Sequence, residues 1–357
     1  MKNLSKSYKR YHRISKAERK RRNKARINRI HPFTNFKDFY VDYIKRRKKT
    51  VILKPDNNFE LLIYPKEVIN FIANLKSLKN NDDLSEILID LNDVQNIDIG
   101  AISLLLSSVE ELTLNNKLVS GSVPKNKNAY NFLLESGFFQ NISKVNKRLT
   151  NNIKTRKNDN KNLLLLGYST TKGKGKIVGE NIKLAMEALT GTKQHYRPIY
   201  TLIMEMNANS IEHAYYKGKD EKHWVLGINY KKNENKLYFT FTDNGLGILQ
   251  QLNIRLDRRI KQLLKDRKFS NDLMLKNLFD KKYNSRFKTQ NNRNRGLPII
   301  QHQSVKNTVK NLICITNDVY LNLETKNSII LDREFSGTFY YWELDLILLQ
   351  KDGKHFN

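Results

Sequence analysis

Two segments between Thr201 and Gln250 constrain this chain more than any others. Lys236-Leu237-Tyr238-Phe239-Thr240 alternates with the period of a strand and runs on into Phe241-Thr242-Asp243-Asn244-Gly245-Leu246-Gly247. Upstream, Ile203-Met204-Glu205-Met206-Asn207-Ala208-Asn209-Ser210-Ile211-Glu212-His213-Ala214 is patterned as a helix, with Glu205 and Asn209 one turn apart on the same face. A helix therefore offers an acid and an amide, and a strand ends in Asp-x-Gly-x-Gly.

Each residue type has a chemical use. An asparagine oxygen is a hard ligand suited to Mg²⁺ bridging nucleotide phosphates, which assigns Asn209 to the metal. A carboxylate one turn away can orient or deprotonate an attacking hydroxyl or water, which is the role for Glu205. Asp243, at a strand end, can accept from an adenine amino group, while Gly245 and Gly247 let the backbone turn sharply close to a ligand. The pair reads as an ATP site.

Taken singly, a Glu-x-x-x-Asn helix face or an Asn-Gly turn is common. Together and in this order they resemble the GHKL-type (Bergerat-fold) ATPases and kinases, the superfamily of gyrase, MutL, histidine kinases and anti-sigma-factor serine kinases. Ser285-Arg286 and then Arg293-Asn294-Arg295-Gly296-Leu297-Pro298-Ile299-Ile300 resemble that family's lid and the glycine-led helix behind it, whose N-terminus receives phosphate. Phe335-Ser336-Gly337-Thr338-Phe339, followed by Trp342-Glu343-Leu344, resembles its last strand pair. The resemblance covers about half the chain. It implies an α/β sandwich with a mixed sheet and helices on one face. It also implies ATP and Mg²⁺ as cofactors, Glu205 as catalytic base and Asn209 as metal ligand. The nucleotide would be bound by Asn209, Asp243, Gly245, Gly247, Arg293, Arg295, Gly296 and Thr338. The phosphate loop departs from the family in having one glycine, Gly296, where two or more are usual. The resemblance implies nucleotide binding and leaves turnover open.

The stretch from Val51 to about Asn146 reads as a smaller α/β unit. Phe59–Ile63 is patterned as a strand, Lys66–Leu78 as an amphipathic helix, Glu86–Leu91 as a buried strand and Gly100–Leu114 as a helix. Leu88 through Leu105, with Gly121-Ser122-Val123-Pro124 and Leu134-Glu135-Ser136-Gly137-Phe138, resembles a STAS domain, the fold of anti-sigma-factor antagonists. In that family an Asp precedes phosphorylatable serines. Here Asp98 is followed by Ile99 and Gly100, which cannot be phosphorylated. The resemblance therefore implies a docking surface for a partner protein rather than a phospho-switch at that position. Ser103, Ser107 and Ser108 read as structural.

The organisation expected is a basic arm (1–50), a STAS-like domain (51–150), a polar linker (151–162) and a GHKL-like ATP-binding domain (163–350). Across 357 residues, 65 basic side chains face 35 acidic ones. From Met1 to His31 there are thirteen Lys or Arg and one acid, Glu18, and Lys45-Arg46-Arg47-Lys48-Lys49 follows. Such an arm attracts nucleic-acid phosphate without reading sequence; a solubilising tail, or one that docks an acidic partner, is the alternative. No run approaches eighteen apolar residues and no apolar segment follows the basic start, so neither a membrane span nor a secretory signal is expected. The single cysteine, Cys314, lies in an apolar run, reads as a buried small residue, and suits a reducing cytoplasm. None of the seven histidines sits on a heptad-patterned helical pair ahead of the ATP segment, which disfavours a sensor histidine kinase.

The reading is a cytoplasmic Mg·ATP-dependent regulatory kinase or ATPase switch acting on or through a partner protein, with a homodimer left open. The alternatives are a nucleic-acid-associated protein that changes conformation on ATP binding without phosphotransfer, and an interaction scaffold with a vestigial nucleotide pocket. Deleting Met1–Lys49 should abolish salt-sensitive, sequence-indifferent nucleic-acid binding in a filter-binding series over salt. Affinity unchanged by the deletion would remove the arm from that role.

Overall fold

The computed structural model describes residues 49–145, 163–169, 175–213, 223–255, 270–280 and 296–351. Most of the basic arm, the linker at 151–162 and the Ser285–Arg295 stretch lie outside the described residues.

The first half comprises β1 (Lys49–Leu53), β2 (Asn58–Phe59), α1 (Pro65–Ser77), β3 (Leu84–Ile89), β4 (Asn96–Ile97), α2 (Ile99–Leu114), β5 (Leu118–Gly121), α3 (Lys127–Glu135) and α4 (Phe138–Val145). Strands β1, β3 and β5 form one sheet with β3 central, and β3 and β5 run parallel across the α2 crossover. α1 opens on Pro65, whose missing N–H falls where a helix start needs none. α2 is capped by Asp98, whose Oδ1 accepts from Ala101 N at 2.7 Å. The other carboxylate oxygen accepts from Leu62 N at 3.1 Å, and Tyr64 N donates to Glu60 O at 2.8 Å. Those two bonds turn the backbone into α1, so the strand expected over Phe59–Ile63 is cut to Asn58–Phe59.

The second half comprises β6 (Leu163–Ser169), α5 (Gly175–Thr190), α6 (Arg197–His213), β7 (His223–Lys231), β8 (Lys236–Asp243), α7 (Ile248–Arg255), α8 (Asn271–Phe279), α9 (Gly296–Val305), β9 (Lys310–Asn322), β10 (Ser328–Asp345) and α10 (Leu346–Lys351). Its sheet has the order β6-β7-β8-β10-β9.

The architecture is mixed α/β, but the expected mixed sheet with helices on one face is corrected on two counts. All four pairings in the five-stranded sheet are antiparallel. Helices also cover both of its faces. Trp224, Leu226, Phe239, Phe241, Tyr340 and Trp342 pack with α5 and α6 through Ile182, Met186, Ile203 and Met206. The alternate residues Val225, Tyr238, Phe339 and Tyr341, with Ile313 and Ile315, pack with α1 and α2 of the first half through Ile72, Leu75, Ile102 and Leu106. Strands apolar on both sides must be buried on both sides. On the α5/α6 face, Trp224 stacks on Phe241 and Phe239 on Trp342, with ring centroids 5.5 and 5.3 Å apart. Each pair contributes about 0.5–1.5 kcal/mol beyond its buried area. By its contacts, Thr50–Asn357 is one compact unit. Among the described residues no helix is long and apolar enough to cross a membrane.

α2 packs tightly against the sheet at Gly227 of β7. A Cβ there would collide with Thr240 Oγ1 and lie 2.9 Å from Ser103 Oγ, the two hydroxyls being themselves 2.7 Å apart. Gly227→Ala should therefore lower stability by about 1–3 kcal/mol, the range for overpacking a tight core. The urea midpoint should fall at unchanged m-value, and an unshifted midpoint would show that the helix is not tightly seated.

Candidate functional site

Four elements of the second half meet around the end of β8. Asp243, 4 % exposed, accepts at Oδ1 from Gly245 N (2.9 Å) and Thr338 N (3.2 Å), with a further bond from the Ser210 hydroxyl of α6. Burial pushes its carboxyl up to about 6. The bonds from Gly245, Thr338 and Ser210 and the charge of Lys76 oppose that shift. At neutral pH it is therefore an anion held by backbone amides. Gly337 makes the approach of β10 feasible: its φ is +122°, and a Cβ would strike the Asp243 carbonyl.

The turn after Asp243 is fastened from β9. Asn317 Oδ1 accepts from Leu249 N at 3.0 Å, and its Nδ2 donates to Leu246 O at 3.1 Å. Thr316 Oγ1 accepts from Ile248 N at 2.9 Å and donates to Gly337 O at 3.1 Å. Gly247, at φ +85°, leaves room for this amide, since a Cβ would lie 2.5 Å from Asn317 Oδ1. Asn317 itself has φ +55°, within a register shift between β9 and β10 that breaks the ladder and frees these side chains to bond the turn. Ser210, Thr316 and Asn317 were missed by the sequence reading. A polar Thr-Asn pair interrupting the apolar run Leu312–Ile315 was the available signal for the last two.

α6 brings Glu205 and Asn209 to the same region. Gly296 begins α9 against Asn209, where a Cβ would lie 2.6 Å from the amide Oδ1. Asn209 Nδ2 is buried with no hydrogen-bond partner among the described residues. Glu205, half-buried, has its carboxyl raised mainly by burial and secondarily by the charge of Glu212. It makes no hydrogen bond or ion pair among the described residues. Asn209, Asp243, Gly245, Gly247, Gly296 and Thr338 thus lie on segments in mutual contact, while Arg293 and Arg295 lie outside the described residues. Among the described residues there is no group of three or more His, Cys, Asp or Glu that could hold a metal.

No protein-family model matches the chain, and no curated protein matches it. Functional conclusions therefore rest on the geometry.

Two features of the first half are less promising. A cleft of about 490 Å³ is lined by Lys54, Tyr64, Glu67, Asp90 and Asp93 among others. Its principal acid, Asp90, is already occupied by Lys54 Nζ at 3.0 Å and Ser122 Oγ at 2.6 Å. At the start of α2, a Cβ on buried Gly100 would lie 3.0 Å from the Leu61 side chain, and Ser103, Ser107 and Ser108 are all buried.

The environment of Asp243 predicts a pH dependence. Its folded-state pKa lies above the unfolded value of about 3.9, so the folded protein binds the extra proton between roughly pH 4 and pH 6. The stabilising contribution is fully present below that window and is lost as pH rises through it. Asp243→Asn keeps an oxygen for Gly245 and Thr338 and deletes the buried charge. It should be more stable than wild type by about 1–3 kcal/mol near pH 7.5, with the advantage vanishing near pH 4 in paired urea titrations. A variant less stable than wild type at the higher pH would contradict this account.

Proposed function

We propose that the chain is an Mg·ATP-binding regulatory protein of the GHKL (Bergerat) type, a kinase or ATPase switch acting on or through a partner protein, with a STAS-like first half. One observation carries this reading: Asn209 and Ser210 of α6, Asp243 of β8, Gly296 of α9 and Thr338 of β10 converge on one locus. Asp243 accepts from the adenine amino group, and the Gly245–Gly247 turn keeps side chains out of the base's way. The α9 N-terminus receives phosphate, with Arg293 and Arg295 adding positive charge.

Asn209 fits a magnesium ligand because the amide has a buried, unpartnered end. Rotation about Cβ–Cγ exchanges that end for the oxygen, a hard ligand. Asn209 would hold the ion, which would supply positive charge to offset that of the phosphates. Glu205 is the base: burial, with the charge of Glu212, raises its proton affinity above that of a free carboxylate.

A second reading, a nucleic-acid-associated switch that binds ATP without turnover, is favoured by the basic arm and by the single glycine of the phosphate loop. Calorimetric titration should give tight ATP binding with Mg²⁺ and weak GTP binding. Asp243→Asn should lose the preference for ATP, and Asn209→Ala the dependence on metal. Equal affinities, or no ATP binding, would sink the site and leave the scaffold reading. Glu205→Ala should bind ATP nearly as wild type while turnover falls at least about a hundredfold. Undiminished turnover would remove Glu205 from catalysis, and ATP binding with no wild-type turnover would favour the second reading.

A further inference from the structure

Side chains of the first half reach both backbone segments that flank Asp243. Lys76 of α1 is 6 % exposed; its Nζ donates to Ser336 O, lies 3.2 Å from Glu111 Oε2 and sits 4.9 Å from the centre of the Phe335 ring. Ser336 is two residues before Thr338, whose amide holds the Asp243 carboxylate. On α2, Glu110 pairs with His223 of β7. The His223 backbone in turn exchanges bonds with Asn244, donating to its Oδ1 at 3.1 Å and accepting from its N at 3.3 Å.

Within this contact Glu111 is bonded by Lys79 at 2.7 Å as well as by Lys76, so this one carboxylate faces two cations. Neutralising Glu111 would need only Lys79, and packing alone would accept an apolar chain in place of a buried lysine. Asp243, across the sheet, is the anion that feels the Lys76 charge.

We propose that Lys76 is a positioning residue of the nucleotide site: the first half of the chain completes that site by holding Ser336-Gly337-Thr338 against Asp243 and keeping a cation behind it. The proposal rests on the ATP-site reading above. It makes the first half part of the pocket wall, so that whatever displaces α1 from the sheet loosens the nucleotide.

The test is ATP titration of the full chain over pH. Among the described residues, Cys314 of β9 and Tyr340 of β10 also face Asp243, both buried with thiol and phenol raised by desolvation, so neither changes charge near neutrality; on β7, His223, paired with Glu110 of α2, stands beside Asn244. Lys76→Met should weaken ATP binding about tenfold and move the pH at which binding is half-lost upward, because Asp243 loses its cation; Lys76→Arg should retain most of the affinity. The double variant Lys76→Met/Glu111→Gln, which also removes the charge of the buried Glu111 carboxylate, guards against misfolding and should behave as Lys76→Met. In wild type, ATP should slow amide exchange at 75–78 as well as at 335–339, a measurement that needs no variant. Wild-type affinity and pH profile in a folded Lys76→Met or double variant, or exchange at 75–78 indifferent to ATP, would overturn the proposal. No ATP binding by the wild type would sink the nucleotide site itself, and this inference with it.

Discussion

The five-stranded sheet is buried on both faces, and the rest of the molecule follows from that constraint. Along β10 the side chains Phe339, Tyr340, Tyr341 and Trp342 leave no polar face, and β8 repeats the pattern with Tyr238, Phe239, Thr240 and Phe241. Exposing either side to water would forgo roughly 25 cal/mol for each Å² of apolar surface. The second half supplies α5 and α6 for one face; the other is covered by α1 and α2 of the first half, which share a continuous core with it.

A sandwich of this kind also sets the electrostatics of the candidate site. Asp243 ends a strand that is buried on both sides, and its carboxylate is held by two backbone amides and a hydroxyl. Those bonds hold the group rigid, while burial raises its proton affinity against their opposition. The same burial explains the pairing of polar groups where the halves meet: Lys76 with Glu111, Glu110 with His223, Ser103 with Thr240. Outside the core the contact is looser and more exposed, as in Lys66 with Asp332 at 3.3 Å. Contributions of that exposed kind are small.

Much of the site was legible because its residues are local in sequence. Glu205 and Asn209 share a face at a spacing any helix enforces, and Asp243 through Gly247 occupy one turn. Thr316 and Asn317 were not, because their role depends on a register shift between β9 and β10 and on 68 residues of separation from the amides they bind. Ser210 was adjacent to a residue already singled out, yet nothing local says that its hydroxyl reaches β8. The helix over Lys66–Leu78 was found as Pro65–Ser77 since period and capping are short-range properties. The strand over Phe59–Ile63 failed because Asp98, 36 residues away, takes the amide of Leu62.

By itself the sequence determined the alternation of apolar residues, the helix faces, the glycine positions and the surplus of positive charge, all of which are properties of neighbours along the chain. It also put bulky apolar residues at successive positions, Leu237-Tyr238-Phe239 in β8 and Phe339 to Trp342 in β10, so that both faces of the sheet need cover. Only the tertiary structure decided what covers them. Apolar burial is non-directional, so the pattern names a demand for cover without naming its source. The choice of α1 and α2 rests on shape at Gly227, where only a hydrogen lets α2 approach, and on charge at Lys76, which finds Glu111, the Ser336 carbonyl and the field of Asp243 at one place. Those partners lie tens to hundreds of residues apart along the chain, and only folding brings them together.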